Sequence, residues 1–205
     1  VLYFKNIFLK SNILVDQIIC SSYAKSISYK DNIKLSGHIS FIDIGFCKTS
    51  IITYHDDKII SLDVLPIGGN HITKDISIIL EIDLESSEQK KRNFDQNPKS
   101  SNDKIIPIDI LQNVIFSRTQ EMLELCTKSI ESNSYTLSKS KMLLMGEGSK
   151  IFNNQYKNKT SFSNHVDFLE ETLEDICQSG FKFITGLNKQ EVVVVPKRQT
   201  KHGFF

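Results

Sequence analysis

Asp43-Ile44-Gly45-Phe46-Cys47-Lys48-Thr49-Ser50 closes an apolar run that begins at His38, and its reading decides the fold. A β-branched strand that ends in glycine turns sharply, and a turn without Cβ atoms lets a phosphate approach backbone N–H groups. Two more turns of this kind follow. Pro66-Ile67-Gly68-Gly69-Asn70-His71-Ile72-Thr73-Lys74-Asp75 occupies 66–75, and Met145-Gly146-Glu147-Gly148-Ser149-Lys150-Ile151 occupies 145–151. The chain has only nine glycines in 205 residues and five of them stand in these turns, which points to a nucleotide cleft.

Around these turns the pattern predicts strands at His38–Ile44, Ser50–Tyr54 and Ile59–Ile67, the last two joined by His55-Asp56-Asp57-Lys58 at hairpin length. Helical spacing runs through Phe4, Ile7, Phe8 and Leu14. Val15–Cys20 reads as a short strand leading into a helix at Ser21-Ser22-Tyr23-Ala24. From Asn70, read as an N-cap, Ile72, Ile76, Ile79 and Leu80 form an apolar helical stripe. Glu85–Phe94 is a short charged helix, 96–103 is loop by composition, and Lys104–Ile110 is a strand that Pro107 confines to an edge. Leu111–Ser132 is the clearest helix, with Leu111, Ile115, Met122, Leu125 and Cys126 on one face. Lys141–Met145 is a buried strand, Ser149 a cap for a helix after it, and 156–164 a polar loop. Val166–Ile184 has helical spacing through Leu169, Leu173, Ile176 and Phe183, with an acidic first turn at 167–174.

A chain of this length builds one large domain or two small ones. Its net charge of +1 gives no general attraction to nucleic acid. It has no 18-residue apolar run of the kind that spans a bilayer. Cys20, Cys47, Cys126 and Cys177 are far apart and form no Cys-x-x-Cys pair, so they read as reduced thiols filling small apolar positions in a cytosolic protein. His38, His55, His71, His165 and His202 make no nucleophile triad and no metal-ligand spacing. Val1 in place of an initiator Met, and the abrupt Gly203-Phe204-Phe205, read as two truncated ends.

The three turns, in this order and at this spacing, resemble the C-terminal half of the bacterial cell-division protein FtsA, of the actin, Hsp70 and sugar-kinase superfamily. Asp43-Ile44-Gly45 with Thr49-Ser50-Ile51 is similar to the second phosphate loop, Asp-Ile-Gly-Gly-Gly-Thr. Pro66 to Ile76 resembles the Gly-Gly-x-x-Ile-Thr-x-Asp-Ile stretch, and Met145 to Ile151 the adenosine motif. Ser21-Ser22-Tyr23-Ala24 resembles the family's Ser-Pro-Tyr-Ala, and the tail after Val195-Pro196-Lys197-Arg198 its linker to a membrane-lying amphipathic helix.

The resemblance implies an α/β, actin-like ATPase fold. It places the end of an N-terminal half and a crossover at 1–30, an RNase-H-like subdomain at 31–75 and 141–185, an inserted smaller α/β subdomain at 76–140, and a linker at 186–205. It further implies ATP, with Mg, held by Asp43, Gly45, Lys48, Thr49, Gly68, Gly69, Glu88, Lys91, Gly146, Gly148 and Ser149. The smaller subdomain would receive the C-terminal peptide of the tubulin-like FtsZ, with Arg118 similar to an arginine implicated there. Phe204 and Phe205 would begin the membrane helix. The implied protein is a Z-ring tether, peripheral on the cytoplasmic face of the inner membrane at the division site. Its further partners would be other divisome proteins and copies of itself in an actin-like filament.

The chain departs from that family where Phe46, Cys47 and Lys48 replace two glycines and a threonine, and where Glu147 replaces a glycine. The stretch from Ile151 to Ile176 is short and is expected to lack the strand and helix that stand there in the family. No catalytic residue is assigned, because the family's first phosphate loop lies in the N-terminal half. The activity expected of the whole protein is at most weak ATP hydrolysis. A small-molecule kinase of the same superfamily and a pilus-assembly adaptor of the PilM type share the expected fold and are the alternatives.

Overall fold

A run such as that ending at Ile44, with apolar residues at both odd and even positions (Ile39 and Phe41, Ile42 and Ile44), requires cover on both faces of the strand it forms. In the computed structural model that run is β1 (His38–Ile44), buried from Ile39 to Ile44 at the centre of a sheet. The structure describes residues 2–33, 37–56, 58–94, 108–132, 140–152 and 166–185. The chain divides into two compact units, Leu35–Glu171 with Gln190–Phe205, and Val1–Lys34 with Thr172–Lys189.

In the larger unit β2 (Thr49–His55) runs antiparallel to β1, with Ile44 opposite Thr49 and His38 opposite His55. β3 (Lys58–Leu65) is antiparallel to β2 and forms an edge, exposing Leu62 and Val64. On the other side β4 (Ser140–Met145) is parallel to β1, and β5 (Val166–Phe168) is parallel to β4. The order is β3-β2-β1-β4-β5. Among the described residues this unit carries the α-helices α3 (Gly69–Leu80), α4 (Leu84–Arg92) and α5 (Ile108–Ser132).

Side chains alternate across a strand, so Ile42, Ile44, Ile51, Met142 and Leu144 share one face of the sheet. That face forms one core with Ile72 and Ile76 of α3 and Val114, Ile115 and Met122 of α5. Phe41 and Tyr54, on the opposite face, meet edge to face at 5.7 Å. The described residues between 76 and 132 form no strand, and α3 and α5 bury their apolar stripes on the central sheet.

In the smaller unit α2 (Ser21–Asn32) packs against α6 (Leu173–Ile184), with Tyr23 and Phe183 edge to face at 5.5 Å. Thr172 caps α6, its Oγ1 accepting from Asp175 N–H while Asp175 Oδ2 accepts from Thr172 N–H. α1 (Leu2–Lys10) buries none of its residues, and Phe4, Ile7 and Phe8 are exposed. Among the described residues no helix is long and apolar enough to cross a membrane.

The structure corrects several expectations. Val15–Cys20 has no regular structure. α3 begins one residue before Asn70, and Gly68 takes the N-cap position, its N–H donating to His71 Nδ1 at 3.1 Å. The short charged helix begins at Leu84 because Asp83 Oδ1 accepts from Ser86 N–H. Ile108–Ile110 is helix, not strand. Ser149 caps no α-helix; it lies inside a 3₁₀ turn, Glu147–Ile151. The stretch read as one helix from Val166 starts as β5, so the strand expected to be missing is present. Val166 is buried, and Asp167 turns outward to pair with Lys141 at 2.6 Å. Only Cys126 is buried; Cys20, Cys47 and Cys177 are exposed. The loops at 96–103 and 156–164, residues 104–107, His165, His202, the linker at 186–205, and Phe204 and Phe205 lie outside the described residues.

Candidate functional site: a cleft over three glycine turns

The ends of β1, β3 and β4 bring the three glycine turns together. Gly69 N–H donates to Gly45 O at 2.9 Å and Asn70 N–H to Phe46 O at 2.8 Å, which ties the start of α3 to the β1–β2 turn. A Cβ on Gly68 would lie 2.5 Å from Gly45 O, and one on Gly148 would lie 2.7 Å from Ile44 O and 3.2 Å from Gly45 O. Gly146 has φ +88°, a left-handed conformation, and a Cβ there would lie 2.7 Å from Ile44 O. The glycines are needed because backbone packs on backbone.

Above this floor opens a cleft of about 430 Å³, within the range of small-molecule sites. Gly45, Phe46, Gly69 and Gly148 form its base, and Ile72, Phe94 and Ile151 its apolar wall. Its polar walls are Glu88, Lys91, Arg92 and Asn93 from α4 and its end, and Glu147 with Lys150 opposite.

Glu88 is the electrostatic centre. Its Oε2 accepts from Lys91 Nζ at 2.6 Å and from Thr73 Oγ1 at 2.5 Å, and its Oε1 from Arg92 Nε at 2.8 Å. Burial alone would raise its pKa, but the hydrogen bonds from Lys91, Thr73 and Arg92, with the Lys91 charge, overcome burial and hold it at about 2. Lys91 also donates to Gly69 O at 3.1 Å and Thr73 Oγ1 at 2.8 Å, so each of its three protons has an acceptor. Helical spacing makes this possible, since Lys91 and Arg92 follow Glu88 by three and four residues.

Of the residues expected to hold a nucleotide, Gly45, Gly69, Glu88, Lys91 and Gly148 are walls of the cleft. Asp43, Lys48, Thr49, Gly68, Gly146 and Ser149 are not among the walls. Thr49 is buried and donates to Ile67 O at 2.7 Å, Ser149 donates to Gly146 O at 2.7 Å, and Lys48 O accepts from Gly45 N–H at 2.9 Å. These residues shape the turns. Arg118 is engaged within the chain: its Nε and Nη2 donate to the two carboxylate oxygens of Asp75, and its Nη1 to Glu121 Oε2 at 2.7 Å. That fork joins α5 to α3. The sequence reading missed Thr73, Arg92 and Phe94; the i, i+4 step from Glu88 to Arg92 is the signal that would have found Arg92.

A nucleotide meets two different ends here. The apolar wall beside Glu88 and Lys91 suits a flat base and a ribose. In the glycine turns the N–H groups of Gly45, Gly68, Gly69, Asn70, Gly146 and Ser149 already have acceptors within the chain, so the donors left for a polyphosphate are those of Phe46, Cys47, Lys48, Glu147 and Gly148.

A family model described as "Cell division protein FtsA" matches residues 40–190. The cell division protein FtsA of Buchnera aphidicola subsp. Schizaphis graminum is 32% identical over 196 residues, covering 87% of this chain and 45% of that protein. The chain thus spans about half the length of the curated relatives it matches. Among solved structures, MreB5 of Spiroplasma citri bound to ADP superposes with a TM-score of 0.67 at 16% identity, over 90% of this chain and 64% of that one. The PilM-PilN type IV pilus biogenesis complex gives 0.60 at 18% identity, over 85% of this chain and 52% of that one. These likenesses show an actin-like ATPase fold, a mixed sheet flanked by helices.

Proposed function

Since this chain belongs to the FtsA family of cell-division proteins, we propose that the protein carrying it is an actin-like adaptor that tethers FtsZ to the inner membrane and helps assemble the division ring. The observation that carries this reading is the meeting of three glycine turns beneath one cleft, in a chain whose residues 40–190 match that family. The sheet order β3-β2-β1-β4-β5 supports reading the larger unit as the RNase-H-like part of the fold. The helices of 76–140 are then the face offered to the FtsZ tail peptide. A peptide carboxylate reaching Arg118 would exchange with Glu121, whose side chain is 52% exposed, more readily than with Asp75 at 22%.

In this reading the cleft holds an adenine nucleotide, with Glu88 and Lys91 toward the ribose and Ile72 and Phe94 toward the base. ADP in the related MreB5 supports it. The nucleotide would tie α3 and α4 to the glycine turns. Residues 204–205 would open an amphipathic segment that rests on the membrane. Single tails bind lipid weakly, and many tails on one filament bind firmly.

The test is capture of an FtsZ C-terminal peptide by the protein, compared with a variant in which the exposed face of 108–132 is changed. Saturable binding lost in the variant supports the tether. No binding to the folded protein rejects it.

A further inference from the structure

Glu88, Lys91 and Arg92 of α4 all line the cleft, but their hydrogen bonds leave them unequally available to a ligand. The Lys91 side chain is 11% exposed and gives its three protons to Gly69 O, Thr73 Oγ1 and Glu88 Oε2. It has none left to donate, and its work is to hold Glu88 in place. Arg92 follows Glu88 by one helical turn, and its side chain is 73% exposed. Its Nε donates to Glu88 Oε1 at 2.8 Å, and neither Nη group has an acceptor among the described residues. The free donors on this wall therefore belong to Arg92.

Glu88 complements them. Its carboxyl is held at about 2, so near neutral pH it is a carboxylate and only accepts. Oε2 already accepts from Lys91 and Thr73, whereas Oε1 accepts from Arg92 Nε alone among the described residues. A carboxylate oxygen takes two hydrogen bonds, so Oε1 has one place open beside the unused end of the Arg92 fork. An acceptor next to donors is matched by a group that both donates and accepts, and a hydroxyl does this with a single atom. Two neighbouring hydroxyls match a planar fork better than one, because each oxygen can accept from a different nitrogen.

We infer that Arg92 acts with Glu88 to read the sugar of the nucleotide by its neighbouring hydroxyls, so that the cleft selects ribose over deoxyribose and Arg92 sets the selection. The inference rests on the adenine-nucleotide reading of the cleft given above. Glu88 Oε1 accepts from one hydroxyl, and the Arg92 Nη groups donate to the hydroxyl oxygens. The edge of adenine, an amino group beside a ring nitrogen, offers a donor and an acceptor of the same kind. The experiment separates the two.

The experiment is calorimetric titration of the protein with ADP, 2′-deoxy-ADP, 3′-deoxy-ADP and inosine diphosphate, at one ionic strength and one magnesium concentration, for wild type, Arg92→Met and Arg92→Lys. Both variants leave Glu88 with Lys91 and Thr73, and circular dichroism checks that the fold is kept. Arg92→Lys keeps the charge and loses the fork, which separates reading of hydroxyls from a general pull on phosphates. A deoxy ligand that binds wild type about tenfold or more weaker than ADP, with the gap shrinking to about threefold or less in both variants, supports the inference. Wild-type affinities for ADP and both deoxy ligands within about threefold of one another, or a ribose preference that Arg92→Lys preserves, overturn it. Inosine diphosphate binding about tenfold weaker than ADP while the deoxy ligands bind as ADP does assigns the pair to the base edge and also overturns it. Failure of all four ligands to bind the folded wild type overturns the adenine-nucleotide reading and this inference with it, whereas equal binding of ADP and the deoxy ligands overturns only the inference.

Discussion

Glu88→Gln probes the network that ties α3 to α4 beside the cleft, and its cost follows from one pKa. The Glu88 side chain is 24% exposed, and its carboxyl is held at about 2 against an ordinary 4.5. The difference amounts to about 3 kcal/mol of folding free energy, an upper value because part of the group meets solvent. The folded value lies below the unfolded one. The stabilisation is therefore complete above about pH 4.5 and is lost as pH falls through that value toward 2. Urea unfolding of wild type and variant across this range, with equal m-values, should give a gap of about 2–3 kcal/mol near neutrality that closes between those two pH values. Lys91→Met gives an independent check, because it removes both the hydrogen bond and the charge by which Lys91 lowers the Glu88 carboxyl, which, followed by carbon NMR, should titrate above 2. A wild-type-to-variant gap that stays constant with pH, or a Glu88 carboxyl that titrates at its ordinary value in the native protein, would refute the reasoning.

Gly68→Ala places a Cβ 2.5 Å from Gly45 O and 2.7 Å from Phe46 O, both backbone atoms, and should destabilise by about 1–3 kcal/mol or more in thermal unfolding. Gly69→Ala meets nothing nearer than Lys91 Nζ at 3.7 Å and should leave stability unchanged or raise it by about 0.5–1 kcal/mol, while weakening any ligand of the cleft it lines. Arg118→Lys loses the two-pronged hold on Asp75 and should cost about 1–2 kcal/mol in urea unfolding, because a point charge does not replace a planar fork. Burial pushes the Cys126 thiol up to about 12, so a thiol reagent should label exposed Cys20, Cys47 and Cys177 in the native protein and reach Cys126 only on unfolding.

What could be read in advance depended on how many constraints each segment carried. His38–Ile44 was legible to the residue because a central strand is apolar on both faces and is closed by a glycine turn. β5 was not, since Val166-Asp167-Phe168 is too short to show a period of two, and its acidic surroundings also suit the start of a helix. Ile108–Ile110 was misread because a proline that demotes a strand equally suits a position just before a helix.

The cleft was legible as a meeting of turns, but the role of each glycine was not. Lack of a Cβ serves the approach of a ligand and the approach of another backbone equally well, and sequence does not distinguish them. In the folded chain they separate: Gly68, Gly146 and Gly148 stand where a Cβ would come within 3 Å of carbonyl oxygens, whereas Gly69 faces the cleft with ordinary clearance. The first three therefore record the assembly of the floor. Gly69 is the one of these four whose missing side chain leaves room for something that is not part of the chain, and a ligand-dependent effect of changing it, without loss of stability, is the signature that distinguishes the two uses.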